Sequence, residues 1–403
     1  MRIFFVSTEM IDSETLMPFD GGLASYLCKI TTALYTQGHD VSVIVVNKFI
    51  EKEVLYRGVK VFFVPFINKN SLFDQIKWRL SSKAKRHSLL CDAIHTKLRQ
   101  EHERKKIDVI QYASFQGLGS RPETDIPSCV RISSYSKLWQ KNYNHINEQE
   151  VINEVEQFRK ARFLFGPSEY VANYIKEDLK LTTEIKIIET PFVPTVTKED
   201  DSLLSTLRDK IGHGEYLIFY GSIGLLKGAQ EIADVIFETL SKYPNLHFVL
   251  VGKEKKIEGR LPIQIIREKA CQFSNRVIHF DKTGHDKLFP LIKASKAVVL
   301  PSRIDNLPNA CIEAMGLRKI VIGSRGASFE QLIDDGISGL LCDAGDAKTL
   351  QFAIDRLMKL NASEVDQMAN AAYDRSRTLS LDEIVPQLLD YYHQVINKWE
   401  ETK

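Results

Sequence analysis

Little in this sequence points away from an ordinary globular protein. The formal net charge is only +2 over 403 residues, and no aromatic and basic interleaving marks a groove for single-stranded nucleic acid. Nucleic acid is therefore not an expected partner. No apolar run approaches the roughly 20 residues that a membrane-spanning helix needs, and MRIFFVSTEM lacks the length and cleavage site of a signal peptide. Contact with a membrane, if made, is made from its surface. Cys28, Cys91, Cys129, Cys271, Cys311 and Cys342 form no C-x-x-C pair, which suits buried thiols in a reducing, cytoplasmic setting better than disulfides or zinc. Glycine and proline are too scarce for a disordered or fibrous chain.

What is present is ample core material, 44% hydrophobic against 26% charged, in a chain longer than one hydrophobic core usually organises, so about two domains are expected. IFFVS (3–7) reads as a buried strand, and Leu23, Leu27, Ile30 and Leu34 repeat at helical spacing before Gly38 and the strand DVSVIVV (40–46). Further strand-like runs at 59–66, 107–112, 129–133, 162–166 and 184–188 alternate with helical segments, which implies a mainly parallel sheet covered by helices. Residues 189–215 mix prolines with an acidic cluster and break the rhythm. The alternation then restarts at YLIFY (216–220) and continues through 246–252, 276–280, 297–301, 319–323 and 338–342. We expect an α/β protein of two Rossmann-like doubly wound domains, 1–195 and 196–379, with a C-terminal helix from about 380 to 403 that packs back on the first. Two such domains facing each other leave a cleft at the carboxyl ends of their strands, where open α/β sheets bind ligands.

Three segments carry groups suited to chemistry at such a cleft. FDGGLASYL (19–27) puts Gly21 and Gly22 between the first strand and the first helix, where main chain can approach an anion closely. YGSIGLLKGAQEI (220–232) repeats the arrangement around Ser222 with a lysine, Lys227, suited as a point charge to a diphosphate. PSRIDNLPNACIEAM (301–315) follows the strand AVVLP, with Asp305 in the loop and Glu313 on the helix that Pro308 introduces. Two separated carboxylates are acceptors fit for the hydroxyls of a polyol. Each segment alone is equally compatible with a solvated turn or an exposed acidic residue.

Together, the Pro-Ser at a strand end, D-N-L-P-N, E-A-M and KIVIGSRGASFEQLIDDGISGLL resemble the retaining glycosyltransferases of family 4, which have the GT-B architecture. The likeness is strong over about 216–345 and weaker, but consistent in order, through FDGGLASYLCKITTALYTQGHDVSVI and FGPSEYVANYIK. It implies a nucleoside-diphosphate sugar as donor. Glu313 would accept hydrogen bonds from ribose hydroxyls, Asp305 would position the transferred sugar, and Lys227 would neutralise the diphosphate. The main chain of Gly21, Gly22, Ser222, Asn306 and Leu307 would line the donor. It further implies front-face substitution without a carboxylate nucleophile, unlike retaining glycosidases, no metal or other cofactor, and a glycan or lipid-linked acceptor such as those of bacterial surface polysaccharide. Binding at the inner face of the plasma membrane fits that acceptor.

Three positions depart from the family pattern. Ser222 stands where an arginine before K-G is expected, Ser133 or Ser134 in VRISSYS stands where a histidine is frequent, and Asp305 replaces a glutamate. Arg303, Arg325 or Lys253 would have to supply the missing charge. A nucleotide-sugar epimerase of the same architecture and a binding protein that has lost turnover are the competing readings. The histidines His145 and His285 read as surface or capping residues. KNSLFDQIKWRLSSKAKRHSLLCDAIHTKLRQEHERKK (69–106) is a basic helical stretch that either rests on an anionic membrane or packs its apolar side on the first domain.

Overall fold

The computed structural model describes residues 1–19, 21–123, 125–140, 147–193 and 198–401. His145 lies outside them, and so does the boundary expected between 195 and 196. The chain forms two compact units, Met1–Pro191 with Leu381–Lys403, and Phe192–Ser380.

In the first unit, eight strands are β1 (Arg2–Ser7), β2 (Asp40–Asn47), β3 (Lys52–Tyr56), β4 (Val59–Pro65), β5 (Val109–Ala113), β6 (Ser128–Arg131), β7 (Leu164–Gly166) and β8 (Ile185–Ile187), in the order β3-β4-β2-β1-β5-β6-β7-β8. All pair in parallel except β3, which runs antiparallel to β4. This edge strand is absent from the apolar rhythm because it is short, opens on two charged residues and is mostly exposed, as an edge facing water allows. β1 and β5 are buried along their whole length, since helices cover both faces. Those helices are α1 (Gly22–Thr36), α2 (Leu72–Leu80), α3 (Lys83–Arg104), α4 (Ser136–Gln140), α5 (Glu148–Lys160) and α6 (Glu169–Leu179).

The basic stretch 69–106 is two helices rather than one. Ser71 and Ser82 each cap a new N-terminus, their hydroxyls accepting from Asp74 N (3.1 Å) and Lys85 N (3.2 Å). α3 buries Leu90, Cys91, Ile94 and Leu98, whereas α2 buries no residue. All six cysteines are free thiols, and only Cys271 is exposed.

The second unit holds β9 (Glu215–Tyr220), β10 (Leu246–Val251), β11 (Val277–Phe280), β12 (Ala297–Val299), β13 (Val321–Arg325) and β14 (Leu340–Asp343), all parallel, in the order β11-β10-β9-β12-β13-β14. Its helices are α7 (Ser202–Ile211), α8 (Ala229–Lys242), α9 (Pro262–Ala270), α10 (His285–Ala294), α11 (Asn309–Gly316), α12 (Ala347–Lys359) and α13 (Ala362–Arg377). The order reverses between β9 and β12, the switch point where ligands of open sheets bind.

The last helix, α14 (Leu381–Glu400), joins the first unit through a buried polar network. Tyr392 donates to Gln111 Oε1 (2.6 Å), and the Arg131 guanidinium lies over the Tyr26 ring at 3.6 Å while donating to Thr190 Oγ1 (3.2 Å). Among the described residues, no helix is long and apolar enough to cross a membrane.

Candidate functional site

The loop 221–228 follows β9, the loop 300–308 follows β12, and these strands are hydrogen-bonded neighbours. Adjacency of the strands makes the loops meet although they are distant in sequence. Lys227 Nζ donates to Asp305 Oδ2 at 2.5 Å across a separation of 78 residues, both side chains keeping some exposure. Arg303 N donates to Leu226 O (2.9 Å), locking main chain to main chain. Gly228, at φ 82°, packs so closely on Pro301 that a Cβ there would lie 2.0 Å from the Pro301 carbonyl oxygen.

The acidic loop is held in a tight form. Asp305 Oδ1 accepts from Asn306 N (3.0 Å), Ser328 Oγ donates to Asp305 O (2.9 Å), and buried Leu307 takes a left-handed backbone, φ 58°. A non-glycine residue in that region stores roughly 1–2 kcal/mol, a cost met by packing of the loop. Glu313, five residues into α11, is largely buried beside the phenol of Tyr220, whose pKa rises well above the usual value through burial first and Glu313 second. Tyr220 itself donates to Ala310 O at 2.5 Å.

Ser222, Lys227, Asp305, Asn306, Leu307 and Glu313 thus gather at the carboxyl ends of β9 and β12. Gly21 and Gly22 belong to the first unit, where they open α1 after β1; Gly21 has φ 132° and faces the Glu9 carboxylate. Burial raises the pKa of Glu9.

Of the cations expected to replace the arginine missing at Ser222, Arg303 grips the buried Glu231 (2.7 Å) and Arg325 pairs with Asp335 (2.6 Å). Lys253 is joined to the loop after β9 through its main chain, Ile223 N donating to its carbonyl at 2.9 Å.

Two further residues carry no site role in the sequence: His285, which reads as a surface or capping residue, and Glu154. His285 Nε2 lies 3.5 Å from Glu313 Oε1 and its ring packs against Phe289. Its only sequence signal was its position at the start of a helix following a strand. Glu154, on α5, is fully buried behind the loop that follows β6. It accepts from Ser136 N (2.6 Å), Ser136 Oγ (3.0 Å) and Ser134 Oγ (3.4 Å). Ser114 Oγ, at the end of β5, pins the same loop by accepting from Ser133 N (3.0 Å) and Ser134 N (3.2 Å). Of the two serines that stand where the family pattern has histidine, Ser134 is therefore held by a buried acid and Ser133 by Ser114.

Burial pushes the Glu154 carboxyl up to about 8 from a usual 4.5. Between those pH values the native chain holds a proton that the unfolded chain has released, so stability falls as pH rises through this window. Glu154→Gln removes the titration. Its melting temperature is expected to decline less than the wild type's between pH 5 and 8, followed calorimetrically; parallel declines would reject the buried-acid assignment.

Two doubly wound units in succession make this a GT-B fold. It is shared with solved structures of sucrose-phosphate synthase from Thermosynechococcus elongatus (TM-score 0.75, 15% identity, 99% of this chain and 100% of that chain) and of Anabaena HepE in complex with UDP (0.69, 17%, 98% and 100%). Residues 207–375 match the family described as glycosyl transferases group 1. A curated relative, alpha-D-kanosaminyltransferase of Streptomyces kanamyceticus, is 24% identical over 194 residues, 47% of this chain and 48% of that protein. The chain spans about half the length of the curated relatives it matches.

Among the described residues, no three His, Cys, Asp or Glu side chains cluster as a metal site.

Proposed function

We propose that this protein is a retaining glycosyltransferase that moves a sugar from a nucleoside-diphosphate sugar to an acceptor hydroxyl in the assembly of a surface glycan or glycolipid. The observation that carries the reading is the Lys227–Asp305 contact, with Glu313 eight residues beyond Asp305 on the adjoining helix. A cation and two carboxylates thus stand on neighbouring loops and the adjoining helix at one sheet edge, groups suited to a diphosphate and to sugar and ribose hydroxyls.

Lys227 pairs with Asp305. Donor binding exchanges that partner for the diphosphate and frees Asp305 to hold hydroxyls of the transferred sugar. Transfer then breaks the bond from the anomeric carbon to the diphosphate oxygen and forms a bond from that carbon to the acceptor oxygen on the same face. The acceptor proton ends on the departing diphosphate. Lys227 and main-chain amides stabilise the charge that develops there, the work a divalent ion does elsewhere. UDP is the first nucleotide to test, because the HepE structure was solved with UDP.

A turnover-deficient binding protein is the second reading, favoured by Ser222 and by the engagement of Arg303 and Arg325 in other pairs. One panel separates the two. Melting temperatures are measured with UDP, GDP, ADP, CMP and their sugar conjugates, since a ligand confined to the folded state raises them, and stabilising donors are then assayed for transfer with and without EDTA. Stabilisation with EDTA-insensitive transfer, lost in Asp305→Ala, supports the enzyme. Stabilisation with neither transfer nor hydrolysis supports the binding protein, and no stabilisation by any donor rejects both.

A further inference from the structure

α2 is the one part of the basic stretch whose apolar residues are left in water. Leu72, Phe73, Ile76 and Leu80 are 76, 73, 55 and 83% exposed. At 3.6 residues per turn these four fall within about 100° of arc, so they form a single stripe. Lys77 and Arg79 fall just outside it, one on either side. The opposite face holds Trp78, whose ring packs at a tilt against Phe66 (ring centroids 4.9 Å apart) beneath the Arg86 guanidinium and anchors the helix to the unit.

From Lys69 to Arg86, six basic side chains stand against one acidic residue, Asp74. The neighbouring strands add to this surface. β1, β2 and β4 are adjacent and parallel, so the segments leaving their carboxyl ends share one edge, and α2 follows β4 directly. Met17 and Phe19 after β1 and Ile50 after β2 are 66, 44 and 44% exposed, and Lys48 is exposed beside them.

We propose that α2, with the tips of the loops after β1 and β2, docks this protein on an anionic lipid surface. An apolar stripe flanked by cations lets the large side chains enter the acyl boundary while lysine and arginine stay at the headgroups. Charge argues against a second copy as the occupant, because a self-complementary contact would oppose the same six basic side chains. The docked edge also carries Gly21, so an acceptor anchored in the bilayer would be presented to the first unit at its strand ends. That last step rests on the glycosyl-transfer reading, whereas the docking does not.

The test is co-sedimentation of the full chain, without donor or acceptor, with phosphatidylcholine vesicles containing or lacking phosphatidylglycerol. Binding is expected only to the anionic vesicles and should weaken with salt. Leu72→Ser with Phe73→Ser should reduce partitioning at least about ten-fold, and Lys77→Glu with Arg79→Glu should do likewise. These side chains are exposed, so the variants should melt with the wild type. Absence of binding to anionic vesicles, binding that both variants retain, or a dimer in solution that the serine variant dissociates would each overturn the proposal. Failure of transfer chemistry would leave these outcomes untouched.

Discussion

Glu313→Ala is expected to weaken nucleotide binding about a hundred-fold, because a carboxylate accepting from two ribose hydroxyls contributes roughly 1.5–3 kcal/mol per charged hydrogen bond, less the water it regains. The loss should be equal for a nucleoside and its diphosphate, since both carry the ribose. Lys227→Ala should weaken only the diphosphate-bearing ligands. This contrast assigns the two ends of the donor independently of turnover. His285 sharpens it: its Nε2 lies 3.5 Å from Glu313 Oε1, so the ring stands beside an oxygen that the ribose would use. His285→Ala should therefore leave nucleotide affinity intact or improve it, where Glu313→Ala destroys it. Calorimetric titration of the three variants with the nucleotide that stabilises the wild type checks the set, and an unchanged affinity in Glu313→Ala would falsify the assignment.

Gly228→Ala is expected to lower stability strongly. The residue sits at φ 82°, where a side chain costs about 1–2 kcal/mol, and its Cβ would meet the Pro301 carbonyl oxygen at 2.0 Å. Both partners are main chain fixed by neighbouring strands, so neither can yield as a flexible side chain would. A loss of about 3 kcal/mol or more follows when overpacking is added to the backbone cost. Because Gly228 follows Lys227 and Pro301 precedes Asp305 by four residues, relief of the clash also pulls the lysine away from the aspartate. Gly221→Ala is the control. It too has positive φ, 122°, but a Cβ there meets nothing within 4 Å, so only the conformational cost applies. Equal melting temperatures for the two variants would show that the close approach is not rigid.

The candidate site residues could be singled out because each sits in a short segment whose turn chemistry is local: glycine before a helix, lysine after glycines, proline at a helix start. Each segment alone fits a solvated turn equally well, and only their joint resemblance to a glycosyltransferase pattern suggested roles for them. The alternation of buried strands and helices is local too, and gave most strands of both sheets. It could not give β3, a short and mostly exposed edge strand, or the break between α2 and α3, where Ser82 caps a new N-terminus within a stretch of continuous helical composition.

What the amino-acid order determined by itself was therefore the inventory: two doubly wound units, their strand-end loops, and Lys227, Asp305 and Glu313 as the side chains worth following. Tertiary structure decided what these residues face. Strand order, which parallel strands buried on both faces do not encode, puts β9 beside β12 and closes Lys227 on Asp305. Packing of α10 brings His285 to Glu313, packing of α5 buries Glu154 behind the serines, and lack of packing leaves α2 exposed. Periodicity reports how apolar a face is, and burial depends on whether another element arrives to cover it.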